Sequence, residues 1–268
     1  MKTPEQIALD HQRERLTKRF HKACTDYGLI ADGDHILIGL SGGKDSLLLT
    51  ELLARRARIY VPRFHITALH VRVRERDYHT DLSYLEAFCA KLNVPLLVRD
   101  VEIGEALTGE AGLTAQRSNS VSGLTAQRST NPCFLCSWYR RKTLFNVAQE
   151  IGCNKIAFGH HRDDMAQTLL MNLFYQGTFA TMPPILQLDK MPIQLIRPLC
   201  LIDEADIITY AAMRGYQKQT KLCPFEHVSA REKVKDLLAQ IKALNPEAVD
   251  SLCGAMTNIK TDYLPKPI

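Results

Sequence analysis

Six consecutive residues, Ser41-Gly42-Gly43-Lys44-Asp45-Ser46, carry the sharpest chemistry in this chain. Two glycines let a backbone approach an anion without Cβ clashes, Lys44 adds a point charge, and the Ser41 and Ser46 hydroxyls add donors. An apolar run at 36–40 precedes them and a leucine-rich stretch at 47–53 follows. The glycines therefore join a buried strand to a helix whose free N-terminal N–H groups face the turn. A phosphate is the natural occupant. The spacing is not that of a loop built for γ-phosphate cleavage. Three residues rather than four separate Gly39 from Gly43, and Asp45 follows Lys44 where Ser or Thr would hold magnesium. An Asp beside phosphates is itself a natural magnesium ligand.

A second constellation is Cys133-Phe-Leu-Cys136, which follows Pro132 and opens a helix, with Cys223 far downstream in Lys-Leu-Cys-Pro-Phe-Glu. Three chemistries fit. Cys133 and Cys136 could be a redox pair, with thiolate character from the helix N-terminus. Structural zinc would want four ligands, and there is no second Cys-x-x-Cys. An iron–sulfur cluster on three cysteines would leave one iron open. Spacing does not choose among Cys223, Cys200 and Cys253 as the third ligand. Cys24, Cys89 and Cys153 sit on or beside apolar helical faces and are expected to be buried thiols.

The third group is Gly159-His160-His161-Arg162-Asp163-Asp164, at a strand end and the start of a helix. Carboxylates are ordinary at helix N-termini. Facing Asp45 across one sheet edge, they could instead complete a magnesium site, with Asp45 and Asp163 as the expected ligands and Asp164 as the other candidate.

The elements that must position these groups alternate. Strands are expected at 36–40, 66–73, 96–103, 155–160 and 192–199, and helices at 47–53, 82–92, 134–151, 163–175 and 203–215, the last stopping at Gly215. That order predicts an α/β fold, a parallel sheet with helices on both faces and ligands beyond the carboxyl ends of the strands. Residues 5–31 read as one or two amphipathic helices, with Leu9, Leu16, Phe20, Ala23 and Tyr27 on one face and Arg13, Arg15, Lys18, Arg19 and Lys22 on the other. Two further helices close the chain, one carrying Val234, Leu237, Leu238, Ile241 and Leu244, the other following Pro246. The expected division is a helical region at 1–32, a nucleotide-binding domain at 33–216, and a helical region at 217–268 carrying Cys223. Gly-Leu-Thr-Ala-Gln-Arg-Ser occurs at 112–118 and again at 123–129. It falls in an expected mobile loop, 104–131, either a tolerated insertion or a substrate loop whose Arg117 and Arg128 touch phosphates.

The 268 residues are 46% hydrophobic and 24% charged, which excludes collagen, coiled coil and wholesale disorder. No stretch approaches the roughly 20 apolar residues of a membrane helix. No apolar run follows the N-terminus, so a cytoplasmic protein with no membrane association and no disulfides is expected. Arg55, Arg56, Arg58, Arg63, Arg72, Arg74 and Arg76 stand against one acid, Glu75, a local excess of +6 beside the +5 of the whole chain. With the basic N-terminal helix, Arg140-Arg141-Lys142 and the stretch 231–235, this is either a solvated face or a footprint for a phosphate backbone. No RNA-binding module is recognisable, so base selection would come from a pocket that takes an unstacked nucleotide.

Ser-Gly-Gly-Lys-Asp-Ser at a strand-to-helix turn resembles the PP-loop of adenylating enzymes such as GMP synthetases, lysidine synthetases and tRNA thiolases. These share the adenine nucleotide α hydrolase-like fold. The resemblance implies ATP cleavage between the α and β phosphates. It places ATP at Ser41, Gly42, Gly43, Lys44, Asp45 and Ser46, with backbone near His70 at the adenine and with Gly159 and His160. Taken in order, the PP-loop, Cys-x-x-Cys-Ser with Arg140-Arg141, Gly-His-His-Arg-Asp-Asp, Asn172-Leu-Phe-Tyr-Gln-Gly177, Met182-Pro-Pro184, Ile196-Arg-Pro-Leu199 and lone Cys223 resemble the TtcA family of tRNA 2-thiocytidine synthetases. That resemblance runs from about residue 13 to the end.

It implies that Cys133, Cys136 and Cys223 hold a [4Fe–4S] cluster whose free iron carries the sulfur. It also implies that a cytidine C2 oxygen in the anticodon loop of tRNA is adenylated and replaced. Lys44, Asp45, Asp163, Asp164, Arg140 and Arg141 would be the catalytic groups, and a cysteine desulfurase or free sulfide the sulfur donor; a homodimer is permitted. Two departures bear on which nucleotide is modified. The proteobacterial enzymes have another cysteine soon after the third ligand, whereas here Cys223 is followed by Pro-Phe-Glu-His, and the loop before Cys133 is longer. The alternatives are an adenylating enzyme acting on another tRNA base or with a non-sulfur nucleophile, as in lysidine-type chemistry, and a nucleotide-responsive redox or sulfur-carrier module.

Overall fold

A computed structural model describes residues 2–74, 78–79, 81–102, 132–217, 220–221 and 230–265. The expected loop 104–131, Arg76 and Cys223 lie outside these residues, as does the side chain of Cys133.

Strand β1 (His35–Gly39) forms the middle of a six-stranded sheet because its side chains are apolar on both faces. Ile36 and Ile38 point into one core, and Leu37 into the other. β1 pairs in parallel with β2 (His65–Val73) on one side and β5 (Lys155–Ala157) on the other. The sheet order is β4 (Leu96–Val101), β2, β1, β5, β7 (Gln194–Ile196), β6 (Ile185–Gln187), with only β6 antiparallel to its neighbour. The chain first winds outward from β1 through β2 to β4, then crosses back to β5 and winds outward through β7. The switch point is the crevice between β1 and β5, where ligands of open α/β sheets bind.

Helices α1 (Pro4–Asp26), α2 (Lys44–Arg56), α3 (Leu82–Leu92) and α6 (Glu204–Arg214) cover one face. Helix α4 (Pro132–Glu150) covers the other through Leu144, Val147 and Ala148. Helix α5 (Arg162–Gln176) packs Ala166 and Leu170 against Val234 and Leu238 of α7 (Ala230–Leu244) and Val249 of α8 (Ala248–Ala255). No helix of the described residues is long and apolar enough to cross a membrane.

The N-terminal segment is a single helix. It is started by a capping box between Thr3 and Gln6, and it buries Leu16, Phe20 and Ala23 in the main core. Part of its basic face is neutralised by acids of the core domain: Arg15 pairs with Asp206, and Arg19 with Asp203, both on or beside α6. Strands expected at 96–103, 155–160 and 192–199 shorten to β4, β5 and β7. Phe158 still donates to the Ile196 carbonyl, but Gly159 and His160 leave the ladder for the turn into α5. Strand β6, and a two-residue pairing of β3 (Tyr78–His79) with β8 (Thr220–Lys221), are additional. Elements this short carry no periodicity, so pairing across the tertiary structure creates them.

Candidate functional site

The carboxyl ends of β1, β5 and β7 surround a cavity of about 780 Å³ at the switch point, roofed by the first turns of α4 and reached by Arg231 of α7. It is lined by Ser41, Asp45 and Ser46 of the phosphate loop, by Gly159, His160 and Asp164, and by Cys136, Arg140 and Arg141. Groups far apart in the chain, expected to act together, therefore open on one space.

The loop is shaped to leave donors free. Gly42 has φ +85°, a left-handed conformation that suits glycine, and its N–H donates to Ser46 Oγ at 3.1 Å. Ser46 Oγ in turn donates to the Gly43 carbonyl at 2.9 Å. Gly43 is the N-cap of α2 and supplies no side-chain cap, so first-turn N–H groups remain available to an anion. Gly159 lets β5 press against this turn: a Cβ there would lie 3.0 Å from the Asp45 carbonyl carbon and 3.2 Å from Ser46 N.

Lys44 is held at the cavity's edge between two acids. Its ammonium lies 3.1 Å from both Asp45 and Glu204. Burial works against its charge, but Asp45 and Glu204 outweigh burial and raise its pKa above the ordinary lysine value. Asp45 Oδ1 is buried and accepts no hydrogen bond, although the Lys44 ammonium is near. A carboxylate oxygen left in that state fits a hard divalent cation. Asp164 lines the same cavity, accepts from the His161 N–H at 3.1 Å and faces Arg231 at 3.3 Å.

Asp163, expected as a magnesium ligand, is engaged elsewhere. It is buried, accepts from the Glu204 N–H at 2.7 Å and pairs with Lys242. Burial would raise its pKa, but the Lys242 ammonium and the Glu204 N–H reverse that and hold it below the usual aspartate value. Its helical position, one residue before Asp164, aims it at α6 and α7 rather than at the cavity.

Burial pushes the His160 pKa down to about 4 against the opposing charge of Asp164, so the ring is neutral near pH 7. Its Nδ1 is buried with no partner. His70 does not line the cavity. Its Nδ1 sits 2.8 Å from the Leu40 carbonyl, tying β2 to the entrance of the phosphate loop, and burial lowers its pKa. Sequence reasoning gave Arg197 no role of its own, although it lines the cavity; Arg231, expected only as part of a basic stretch, lines it too, and His161 caps α5. Arg197 follows β7, and a position just past a parallel strand was the available signal.

The six described cysteines are free thiols. Burial raises the pKa of Cys24 and Cys200 to about 12, and of Cys89, Cys153 and Cys253 to about 11. None of these five lines the cavity, whereas Cys136 does. Among the described residues no three His, Cys, Asp or Glu side chains form a metal-binding group. Much of the arginine run is neutralised inside the chain: Arg55 by Glu51, Arg72 by Asp100, and Arg74 by Glu102.

Residues 10–219 match the PP-loop domain family. The tRNA-cytidine(32) 2-sulfurtransferase of Chromohalobacter salexigens is 32% identical over 263 residues, covering 97% of this chain and 86% of that one. Its counterpart in Paraburkholderia phymatum is also 32% identical, covering 94% of this chain and 70% of the relative. This chain belongs to the TtcA family of PP-loop proteins. In this TtcA-family chain, Cys136 and the arginines behind it come from α4, which the fold sets over the phosphate loop. The same fold occurs in the U34-tRNA thiolase NcsA from Methanococcus maripaludis, solved with its [4Fe-4S] cluster. It aligns with a TM-score of 0.71 over 96% of this chain and 82% of that one, at 24% identity.

Proposed function

We propose that this TtcA-family chain is an ATP-dependent, iron–sulfur-dependent tRNA-cytidine 2-sulfurtransferase acting in the anticodon loop, on cytidine 32 as the names of its relatives indicate. The observation that carries the reading is that the phosphate loop and Cys136 open on one cavity. An adenylating loop alone would activate a base, and a thiol site alone would not.

ATP binds with its β and γ phosphates on the first turn of α2, where Lys44 leaves Glu204 for the phosphate oxygens. Arg140 and Arg141, from the roof, offset charge developing on the α-phosphate. The cytidine C2 oxygen attacks that phosphorus, pyrophosphate departs into the loop, and the adenylated base is left poised to lose AMP. Asp45 and Asp164 would hold Mg²⁺, which would neutralise the departing pyrophosphate; Asp163 instead positions α7. Neutral His160 flanks the site without adding charge. A [4Fe–4S] cluster on Cys133, Cys136 and Cys223 would supply the sulfur that takes the oxygen's place.

Cys223 is favoured as third ligand because Cys200 and Cys253 are away from the cavity. In addition, β8 ends at Lys221, two residues earlier, and is paired to the strand that follows β2. Val73 at the end of β2 packs on Leu135 and Cys136. The sulfur would come from a cysteine desulfurase or free sulfide, and the reaction belongs in the cytoplasm.

The test is iron and acid-labile sulfide content after anaerobic purification, with nucleoside mass spectrometry of tRNA incubated with ATP, Mg²⁺ and sulfide. Cluster-level iron with 2-thiocytidine is expected, and Cys223→Ala should abolish thiolation while ATP still binds. Zinc or no metal after anaerobic reconstitution, or continued thiolation by Cys223→Ala, would overturn the mechanism.

A further inference from the structure

Arg197 is a buried cation without a counter-ion. Its side chain lies at the cavity wall with only 6% of the residue exposed, and no carboxylate among the described residues pairs with it. Its Nη1 donates to the Pro183 carbonyl at 2.5 Å and its backbone N–H to the Pro184 carbonyl at 2.8 Å, while Nε is buried with no partner. Desolvating a guanidinium to this extent, with an N–H unmet, is costly unless an anion completes the site. The other cations nearby are already engaged. Arg231 faces Asp164, Lys44 faces Asp45 and Glu204, and Arg141 donates to the Ser137 carbonyl and hydroxyl.

Strand register says which anion. Ile38 of β1 is level with Ala157 of β5, and Ala157 with Ile196 of β7. Arg197 is therefore level with Gly39, two strands away, about 10 Å across the sheet. On the reading above, ATP phosphates on α2 occupy the β1 end, two strands from Arg197. The space in front of Arg197 is left for the second substrate.

We infer that Arg197 binds a phosphodiester oxygen of the RNA nucleotide whose base is activated. The Pro183 carbonyl holds Nη1 and the Pro184 carbonyl holds the backbone N–H before the RNA arrives, so the guanidinium is already positioned at the cavity wall for the phosphate. This rests on the tRNA-thiolation reading above, and it adds the residue that sets the target nucleotide against the ATP phosphates.

The experiment uses the reconstituted full-length enzyme, Arg197→Met and Arg197→Lys, and an anticodon stem-loop RNA. The RNA is made with ordinary phosphates, or with one uncharged methylphosphonate 5′ or 3′ to the target cytidine. Arg197→Met should raise KM for the ordinary RNA about 30-fold, with kcat within about threefold and KM for ATP unchanged. Arg197→Lys, a point charge without the fork, should recover part of that loss. In the wild type, one of the two methylphosphonates should cause a similar loss, and in Arg197→Met that same RNA should lose nothing more. This non-additivity is the signature of direct contact.

If the losses simply add, or if KM for ATP rises instead, Arg197 serves the Pro183–Pro184 segment or the ATP α-phosphate, and the inference is wrong. If Arg197→Met does not fold, a wild type and an Arg197→Lys that lose equally to every methylphosphonate would overturn it as well. A wild type that neither binds nor thiolates the stem-loop would instead overturn the reading on which it rests.

Discussion

At the residue scale, the site depends on one missing side chain as much as on those present. Gly159 stands where β5 meets the first turn of α2, with the Asp45 and Ser46 backbone 3.0 to 3.2 Å from where a Cβ would be. Backbone cannot swing aside as a flexible side chain can, so Gly159→Ala must push the phosphate loop outward, at a cost of about 1–3 kcal/mol. The expected result is about tenfold weaker ATP binding by titration calorimetry, with secondary structure by circular dichroism preserved. Unchanged ATP affinity would show that the loop tolerates displacement. The sequence named Gly159 as a cofactor residue, but its spatial reason, contact with a turn more than a hundred residues earlier, is visible only in the fold. The cysteines divide for a similar reason. Cys24, Cys89 and Cys153 were legible as buried thiols from helical periodicity, whereas Cys200 and Cys253 could be set apart from the cavity only by their packing.

At the scale of elements, the adjacent acids at the start of α5 do two jobs. Asp164 faces the cavity and Arg231; Asp163 holds the N-terminus of α6 and Lys242 of α7. Together with the pair of Lys235 and Glu204, three contacts fasten α7 around the phosphate loop. Asp163→Asn should lower stability by about 1–3 kcal/mol in urea unfolding and raise hydrogen exchange in α7, with ATP binding little changed. Asp164→Asn should abolish thiolation with little loss of stability. The reverse pattern would return the cation-binding role to Asp163. Sequence placed both carboxylates at a helix N-terminus correctly, but consecutive helical residues point about 100° apart. Only the positions of α6 and α7 decide which direction is the cavity.

At the scale of the whole molecule, α2 and α6 are joined beneath the phosphate loop by Glu51. Its carboxylate is buried and takes hydrogen bonds from Tyr210 and Tyr216 at 2.9 Å, with Arg55 and Arg214 alongside. Burial would raise its pKa, but the tyrosine hydroxyls and arginine charges together hold it below the ordinary 4.5. A depressed carboxylate pKa stabilises the fold above the unfolded value and loses that contribution as pH falls through the folded value. Wild type should therefore exceed Glu51→Gln by about 1–3 kcal/mol near neutral pH, and the gap should shrink as pH falls below the ordinary 4.5 and through the lower folded value. A gap independent of pH would show that Glu51 acts through packing rather than charge.

The sequence by itself determined the parallel sheet, the phosphate loop at its strand-to-helix turn, and the family, because periodicity and short contiguous motifs are local properties of a chain. It also set the expectation that cysteines, arginines and carboxylates would act together. Tertiary structure decided which of them open on one cavity. The reversal of strand order between β1 and β5 opens the crevice, and α4 laid over it adds Cys136, Arg140 and Arg141. Register across β1, β5 and β7 delivers Arg197, and ion pairs to acids on or beside α6 neutralise Arg15 and Arg19 within the basic N-terminal face. The physical reason is that burial and charge pairing depend on which groups meet in space, and for these residues the partners lie far away in the chain.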